Sequence, residues 1–134
     1  MTAQAVVARH LAEHHAVTAA VMKSMPEAIG QLADRVSATV DAGGTLLFCG
    51  NGGSAADAQH LAAEYVVRFT RDRRPIPALA LTTDTSVLTA SGNDFGFTSV
   101  FQRQVLALGR KGDLLVIHST SGASENLLRA ASAA

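Results

Sequence analysis

Leu46-Leu47-Phe48-Cys49-Gly50-Asn51-Gly52-Gly53-Ser54 runs from a short apolar segment straight into a glycine turn. The next residues, Ala55-Ala56-Asp57-Ala58-Gln59-His60-Leu61-Ala62-Ala63-Glu64, have helical composition. The pattern predicts a buried strand over residues 45–49, a tight turn and a helix N-terminus. Gly52 and Gly53 lack a Cβ, so the backbone there can take positive φ and approach a ligand closely. Ser54 is the expected N-cap. The N–H groups of the first turn, together with the helix dipole, attract an anion, typically a phosphate. The plain alternative is a strand-to-helix turn that binds nothing, since so short a motif recurs without a ligand.

Downstream, the helix extends to about Phe69. Its apolar side carries Ala58, Leu61, Ala62, Tyr65, Val66 and Phe69, and Asp57, His60, Glu64 and Arg68 mark another side at spacings of three and four. Arg68, Arg71, Asp72, Arg73 and Arg74 form a charged connection, read as a solvated helix end whose cations suit the dipole. Residues 77–81 make a second buried strand. Residues 82–86 cap a short helix to about Ser91, and Gly92-Asn93-Asp94-Phe95-Gly96-Phe97 is expected to be a loop. Residues 100–108 are helical, and residues 114–118 are the third strand. Ser119-Thr120-Ser121-Gly122-Ala123-Ser124 then opens a last helix. Strands alternating with helices predict an α/β protein with a parallel sheet flanked by helices. The first strand is expected in the middle, as in flavodoxin-like sheets, with ligands beyond the carboxyl ends of the strands.

Upstream, residues 2–24 lack Gly and Pro, and Val7, Leu11, His14, Thr18, Val21 and Met25 form a narrow helical seam. Pro26 breaks this helix or opens the next one. The second helix carries Ile29, Leu32, Val36 and Val40 and stops at Gly43-Gly44. A helical region over 1–44 therefore precedes a ligand-binding domain over 45–134. The seam exceeds what a helix before a small sheet must bury, so residues 2–41 are expected to contribute to a subunit interface. His10, His14 and His15 are read as solvated or interface histidines, because no other ligand type clusters with them.

The 134 residues suit one domain. With 48% hydrophobic and 16% charged residues the composition is not that of a disordered chain. Eleven basic residues balance eleven acidic ones, which gives no electrostatic case for nucleic acid or an anionic membrane. No apolar run approaches a membrane span. Arg9, His10 and Glu13 interrupt the N-terminus before an apolar signal core forms, so a cytoplasmic protein is expected. The one cysteine, Cys49, lies in the apolar strand and is read as a buried, inert thiol.

Two clusters carry chemistry. Residues 119–124 offer four hydroxyls around one glycine at a helix start, whereas plain N-capping needs one. His60 and Glu64, at i and i+4, point the same way from the helix behind the glycine turn. These residues, as Gly50-Asn51-Gly52-Gly53-Ser54 with Asp57-Ala58-Gln59-His60 and Glu64, resemble the phosphoheptose isomerase family of SIS (sugar isomerase) proteins. So do Asn93-Asp94-Phe95-Gly96-Phe97 and Ser119-Thr120-Ser121-Gly122.

The resemblance implies a flavodoxin-like SIS domain and an aldose–ketose isomerase that converts sedoheptulose 7-phosphate to D-glycero-D-manno-heptose 7-phosphate through an enediol. It implies a homotetramer with the N-terminal helices in the assembly. Carried over by motif, Asn51, Gly52, Gly53, Ser54, Glu64, Asn93, Asp94, Ser119, Thr120, Ser121 and Ser124 contact the phosphosugar. The phosphate rests mainly on residues 119–124, Glu64 is the proton-transfer base, and His60 and Glu64 bind zinc. The family's chain is longer, with a Gln and a His beyond residue 134 that complete the metal and acid–base site, so part of the family fold is expected to be missing here. The competing reading is a non-catalytic SIS protein that binds phosphosugars or a protein partner such as a replication initiator. Glu64 separates the two, because a binding-only protein has no use for a carboxylate facing the sugar.

Overall fold

β1 (Leu46–Gly50) is buried along its whole length, as five consecutive residues without a charge require when both sheet faces are covered. The computed structural model describes all residues, Met1–Ala134. β2 (Ala78–Ala80) and β3 (Leu114–His118) flank β1, both parallel to it, in the order β2-β1-β3. The first strand is thus central, as the alternation predicts. Leu46, Leu47 and Phe48 pair with Ala78, Leu79 and Ala80 on one side, and Leu46 to Gly50 pair with Leu114 to His118 on the other. The observed β1 starts one residue later than expected. The Thr45 N–H is drawn to the Asp113 carboxylate (2.7 Å), and its carbonyl accepts from Leu114 (3.0 Å).

The alternation of β1 divides the core in two. Leu47 and Cys49 pack with Leu81, Val100, Phe101, Val105, Leu127 and Ala130 on one face. Leu46 and Phe48 pack with Ala58, Ala62 and Ala80 on the other, where Val36 and Val40 also contribute. Helix α3 (Gly53–Val66) covers the second face. Helices α5 (Val100–Leu108) and α6 (Glu125–Ala133) cover the first. Each large aliphatic side chain buried here contributes about 1.5–3 kcal/mol. Burial also pushes the Cys49 thiol up to about 11, which makes it inert.

Two local expectations are corrected. Residues 92–95 are not a loop. They complete helix α4 (Thr85–Phe95), which Asp84 caps by accepting from the Val87 N–H (3.0 Å). The stop comes at Gly96, whose φ of +81° suits glycine, not at Gly92, which stays helical. A 3-10 turn, Phe97–Ser99, then leads into α5. Helix α3 ends at Val66, and Phe69 beyond it is exposed.

The chain divides into two units, Met1–Arg35 and Val36–Ala134. The first contains α1 (Ala3–Ser24) and the opening of α2 (Pro26–Asp41). Pro26 begins the second helix, as its lack of an N–H allows. No residue of α1 is buried, and Val7, Leu11 and Met25 of the seam are exposed. No helix is long and apolar enough to cross a membrane.

Candidate functional site

β1 ends at Gly50 and β3 ends at His118, and these two residues are register partners. The glycine turn and loop 119–124 therefore leave the sheet side by side at its carboxyl edge. Gly50 is needed there: a Cβ would lie 2.6 Å from the Ser54 carbonyl oxygen. The turn folds back onto the end of its own strand at a distance no side chain permits. Gly52 takes φ +58° and occupies the N-cap position of α3. The helix starts at Gly53, so Ser54 is not the cap. Its N–H bonds the Asn51 carbonyl (3.0 Å), and no side chain caps the helix.

Asn51 is held from the far side of the chain. Its Nδ2 donates to Asn126 Oδ1 (3.0 Å), and Asn126 Nδ2 donates to Asn51 Oδ1 (2.8 Å). Asn126 is buried in the first turn of α6. The pair ties the glycine turn to the helix that follows loop 119–124. Sequence reasoning missed Asn126. The one available signal was a polar residue next to Leu127 and one turn before Ala130.

Within loop 119–124, Ser119 Oγ accepts from the Gly122 N–H (3.0 Å) and Ser121 Oγ from the Ala123 N–H (3.2 Å). Gly122 has φ +65°. Those two N–H groups are satisfied within the loop, and neither serine O–H donates to a protein acceptor. Ser124 is the N-cap residue of α6 but makes no side-chain capping bond. Plain N-capping therefore does not account for its hydroxyl.

Glu64 lies in α3, a quarter exposed, with Oε1 3.6 Å from Nε2 of the exposed His60. Its other oxygen, Oε2, is sealed from solvent and has no hydrogen-bond partner, an arrangement native proteins rarely leave without a use. Arg73 closes the end of α3 by donating to the carbonyls of Glu64 (2.7 Å) and Tyr65 (2.8 Å), as a cation at a helix C-terminus should. His60, Leu61, Glu64, Tyr65, Phe69 and Arg73 line a cavity of about 360 Å³.

His60 and Glu64 fit as two zinc ligands: an imidazole nitrogen and a carboxylate with one oxygen unpaired. No group of three His, Cys, Asp or Glu residues is assembled anywhere in the chain, so the pair supplies half of a tetrahedral set. Asn93 and Asp94 lie elsewhere. Asn93 Nδ2 donates to Asp94 Oδ1 (2.8 Å), and Asp94 lines a separate cavity of about 540 Å³ with Ser91, Phe95 and Arg103. The two cavities share no lining residue.

The SIS domain family matches residues 9–134. The phosphoheptose isomerase of Nitratidesulfovibrio vulgaris is 52% identical over 98% of the chain, which spans 64% of that relative's length. That of Desulfovibrio desulfuricans is 66% identical over 75% of the chain and 48% of its own length. Among solved structures, phosphoheptose isomerase from Neisseria gonorrhoeae superimposes with a TM-score of 0.91 at 48% identity, covering 98% of this chain and 68% of that one. The Francisella tularensis protein gives 0.95 at 37%, covering 99% and 70%. The chain thus spans somewhat less than two thirds of the first of these curated relatives.

Proposed function

This chain belongs to the SIS domain family, and from that premise we propose that it is the phosphosugar-binding part of an aldose–ketose isomerase. Its substrate is sedoheptulose 7-phosphate and its product D-glycero-D-manno-heptose 7-phosphate. The observation that carries this reading is the sealed, unpartnered Oε2 of Glu64, in the last turn of the helix that the glycine turn opens. A binding-only protein gains nothing from a buried carboxylate oxygen with no partner, and the arrangement costs stability.

Loop 119–124 holds the phosphate through the hydroxyls of Ser119, Thr120, Ser121 and Ser124. The glycine turn, with Asn51 fixed by Asn126, holds sugar oxygens. Glu64 removes a proton from C1 of the ketose. The C–H electrons form the C1–C2 double bond while the C2 carbonyl oxygen takes up a proton, giving the enediol. Glu64 returns its proton to C2, the O–H on C1 gives up its proton, and the aldehyde results. Base catalysis of this kind requires a carboxylate within hydrogen-bond reach of the carbon-bound proton. Zinc, held by His60 and Glu64 with further ligands, would supply a Lewis acid for the enediolate oxygen. Asn93 and Asp94 are assigned to sugar binding by motif alone, since Asp94 lines a cavity separate from that of Glu64, and the exposed seam of α1 supports a homotetramer.

The test is a coupled assay with sedoheptulose 7-phosphate, on this chain and on the chain extended to its relatives' length. Turnover by the extended protein is expected. Phosphosugar binding without turnover in it would move the reading to a non-catalytic SIS protein. Light scattering that returns a monomer at micromolar concentration would exclude the tetramer.

A further inference from the structure

His118 is the last residue of β3, and loop 119–124 begins at its carbonyl. Side chains alternate along a strand, so His118 shares a face with Leu114 and Val116, which pack into the core that α3 covers. Its register partner Gly50 has no side chain, so the imidazole's neighbour on β1 is Phe48. The two rings lie 6.1 Å apart and 3° from parallel. Phe48 in turn stacks on Tyr65 of α3 at 5.8 Å and 23°. This ladder of rings fixes the plane of the imidazole.

Within that plane the two nitrogens differ. Nδ1 is sealed from solvent and has no partner, a condition Nε2 does not share. A buried N–H left unpaired is rarer than a buried acceptor left unpaired. The Nδ1 site is therefore the lone pair and Nε2 carries the proton. The ring presents one N–H donor at the carboxyl edge, beside two segments, 50–54 and 119–124, that contain no Lys or Arg. An anion there is met by hydroxyls and backbone alone unless His118 joins them.

Resting on the reading above that this edge takes a phosphorylated sugar, we propose that His118 is a further binding residue of the site, whose Nε2–H donates to an oxygen of the ligand. The experiment uses the protein extended to its relatives' length and compares two variants. His118→Phe keeps a flat ring on Phe48 and removes both nitrogens. His118→Gln keeps a donor near the Nε2 position. His118→Phe should melt at or above the parent temperature, since it deletes an unpaired buried nitrogen.

In His118→Phe, KM for sedoheptulose 7-phosphate should rise about tenfold, the share of one hydrogen bond to a charged group, while kcat stays within about twofold. Calorimetric affinity for inorganic phosphate should fall in parallel, and His118→Gln should recover most of both losses. Imidazole nitrogen chemical shifts should report the Nε2-protonated tautomer. Unchanged KM and phosphate affinity in His118→Phe would overturn the proposal, as would the Nδ1-protonated tautomer or a His118→Gln protein as weak as His118→Phe. The phosphate titration needs no turnover. An inactive parent protein whose phosphate affinity still drops in His118→Phe would fault the isomerase reading alone.

Discussion

Asn51 and Asn126 exchange both of their side-chain amide hydrogen bonds, at 3.0 and 2.8 Å, across 75 residues of sequence. The pair is the direct link between the glycine turn after β1 and the helix after β3. Asn126→Leu should leave the Asn51 amide unpaired and lower stability by about 1–3 kcal/mol. The double variant Asn51→Leu/Asn126→Leu should lose less than the sum of the singles, with a coupling of about 0.5–3 kcal/mol. Urea denaturation of the four proteins measures this, and strictly additive losses would show that the two amides do not act as a unit.

Glu64→Gln keeps the size and hydrogen-bonding shape of the side chain and removes the basic carboxylate. The fold should survive, because Glu64 belongs to neither core cluster. In the protein extended to its relatives' length, turnover of sedoheptulose 7-phosphate should fall by about a hundredfold or more, the usual share of a general base. KM should change far less. Metal content has to be measured alongside, since the same substitution removes a candidate zinc ligand. Near-parental turnover in a folded protein would exclude Glu64 as the base.

Ser119→Ala and Ser121→Ala should act the other way, raising KM for the phosphosugar with kcat held. Each substitution deletes a hydroxyl available to the ligand. Each also strips the partner from an N–H, that of Gly122 or Ala123, so the loop should loosen as well. Steady-state kinetics of each single variant decides the matter: a fall in kcat at constant KM would place the serine in the chemistry and not in binding.

Cys49 gives a stability signature at alkaline pH. Burial holds it at about 11 in the folded chain, above the ordinary thiol value of 9.0. Between these two values the unfolded chain releases the thiol proton and the folded one keeps it. The unfolded state then binds fewer protons, and stability falls as pH rises through that window, by up to about 1.4 kcal/mol per pH unit. Below it the thiol has no effect on the pH dependence. Urea midpoints of the parent protein and Cys49→Ala from pH 8 to 11 should diverge only above about pH 9. Parallel curves would show that the thiol is not buried in solution.

The sheet was legible because its signal is local. One apolar run that ends in a glycine turn, and two further short apolar runs with helices between them, leave few arrangements open. The hydroxyl-rich loop and the His60–Glu64 spacing were legible for the same reason. What escaped lay in partners distant in sequence or in backbone angles. Asn126 reads as an ordinary surface residue until Asn51 is seen against it. His118 reads as the tail of a strand until Phe48 and the bare Gly50 show which way its ring turns. Gly92 looks like a helix stop, yet Ser91 beside it is buried and the chain carries the helix on to Gly96. Ser54 has the right chemistry for a cap, but the positive φ at Gly52 starts the helix one residue before it.

The strand order also has a temporal meaning. Of these three strands the central one, β1, is translated first, and β2 and β3 emerge later on either side of it. Domains form from the N-terminus while synthesis runs at about 5–20 residues per second. The seed of this sheet therefore leaves the exit tunnel seconds before its flanks. Until they arrive, Leu46, Leu47 and Phe48 have both hydrogen-bonding edges bare. Helix α3, translated immediately behind β1, can shield one face during that interval. The other face waits for α5 and α6, which makes the nascent chain most vulnerable to association on the Leu47 and Cys49 side.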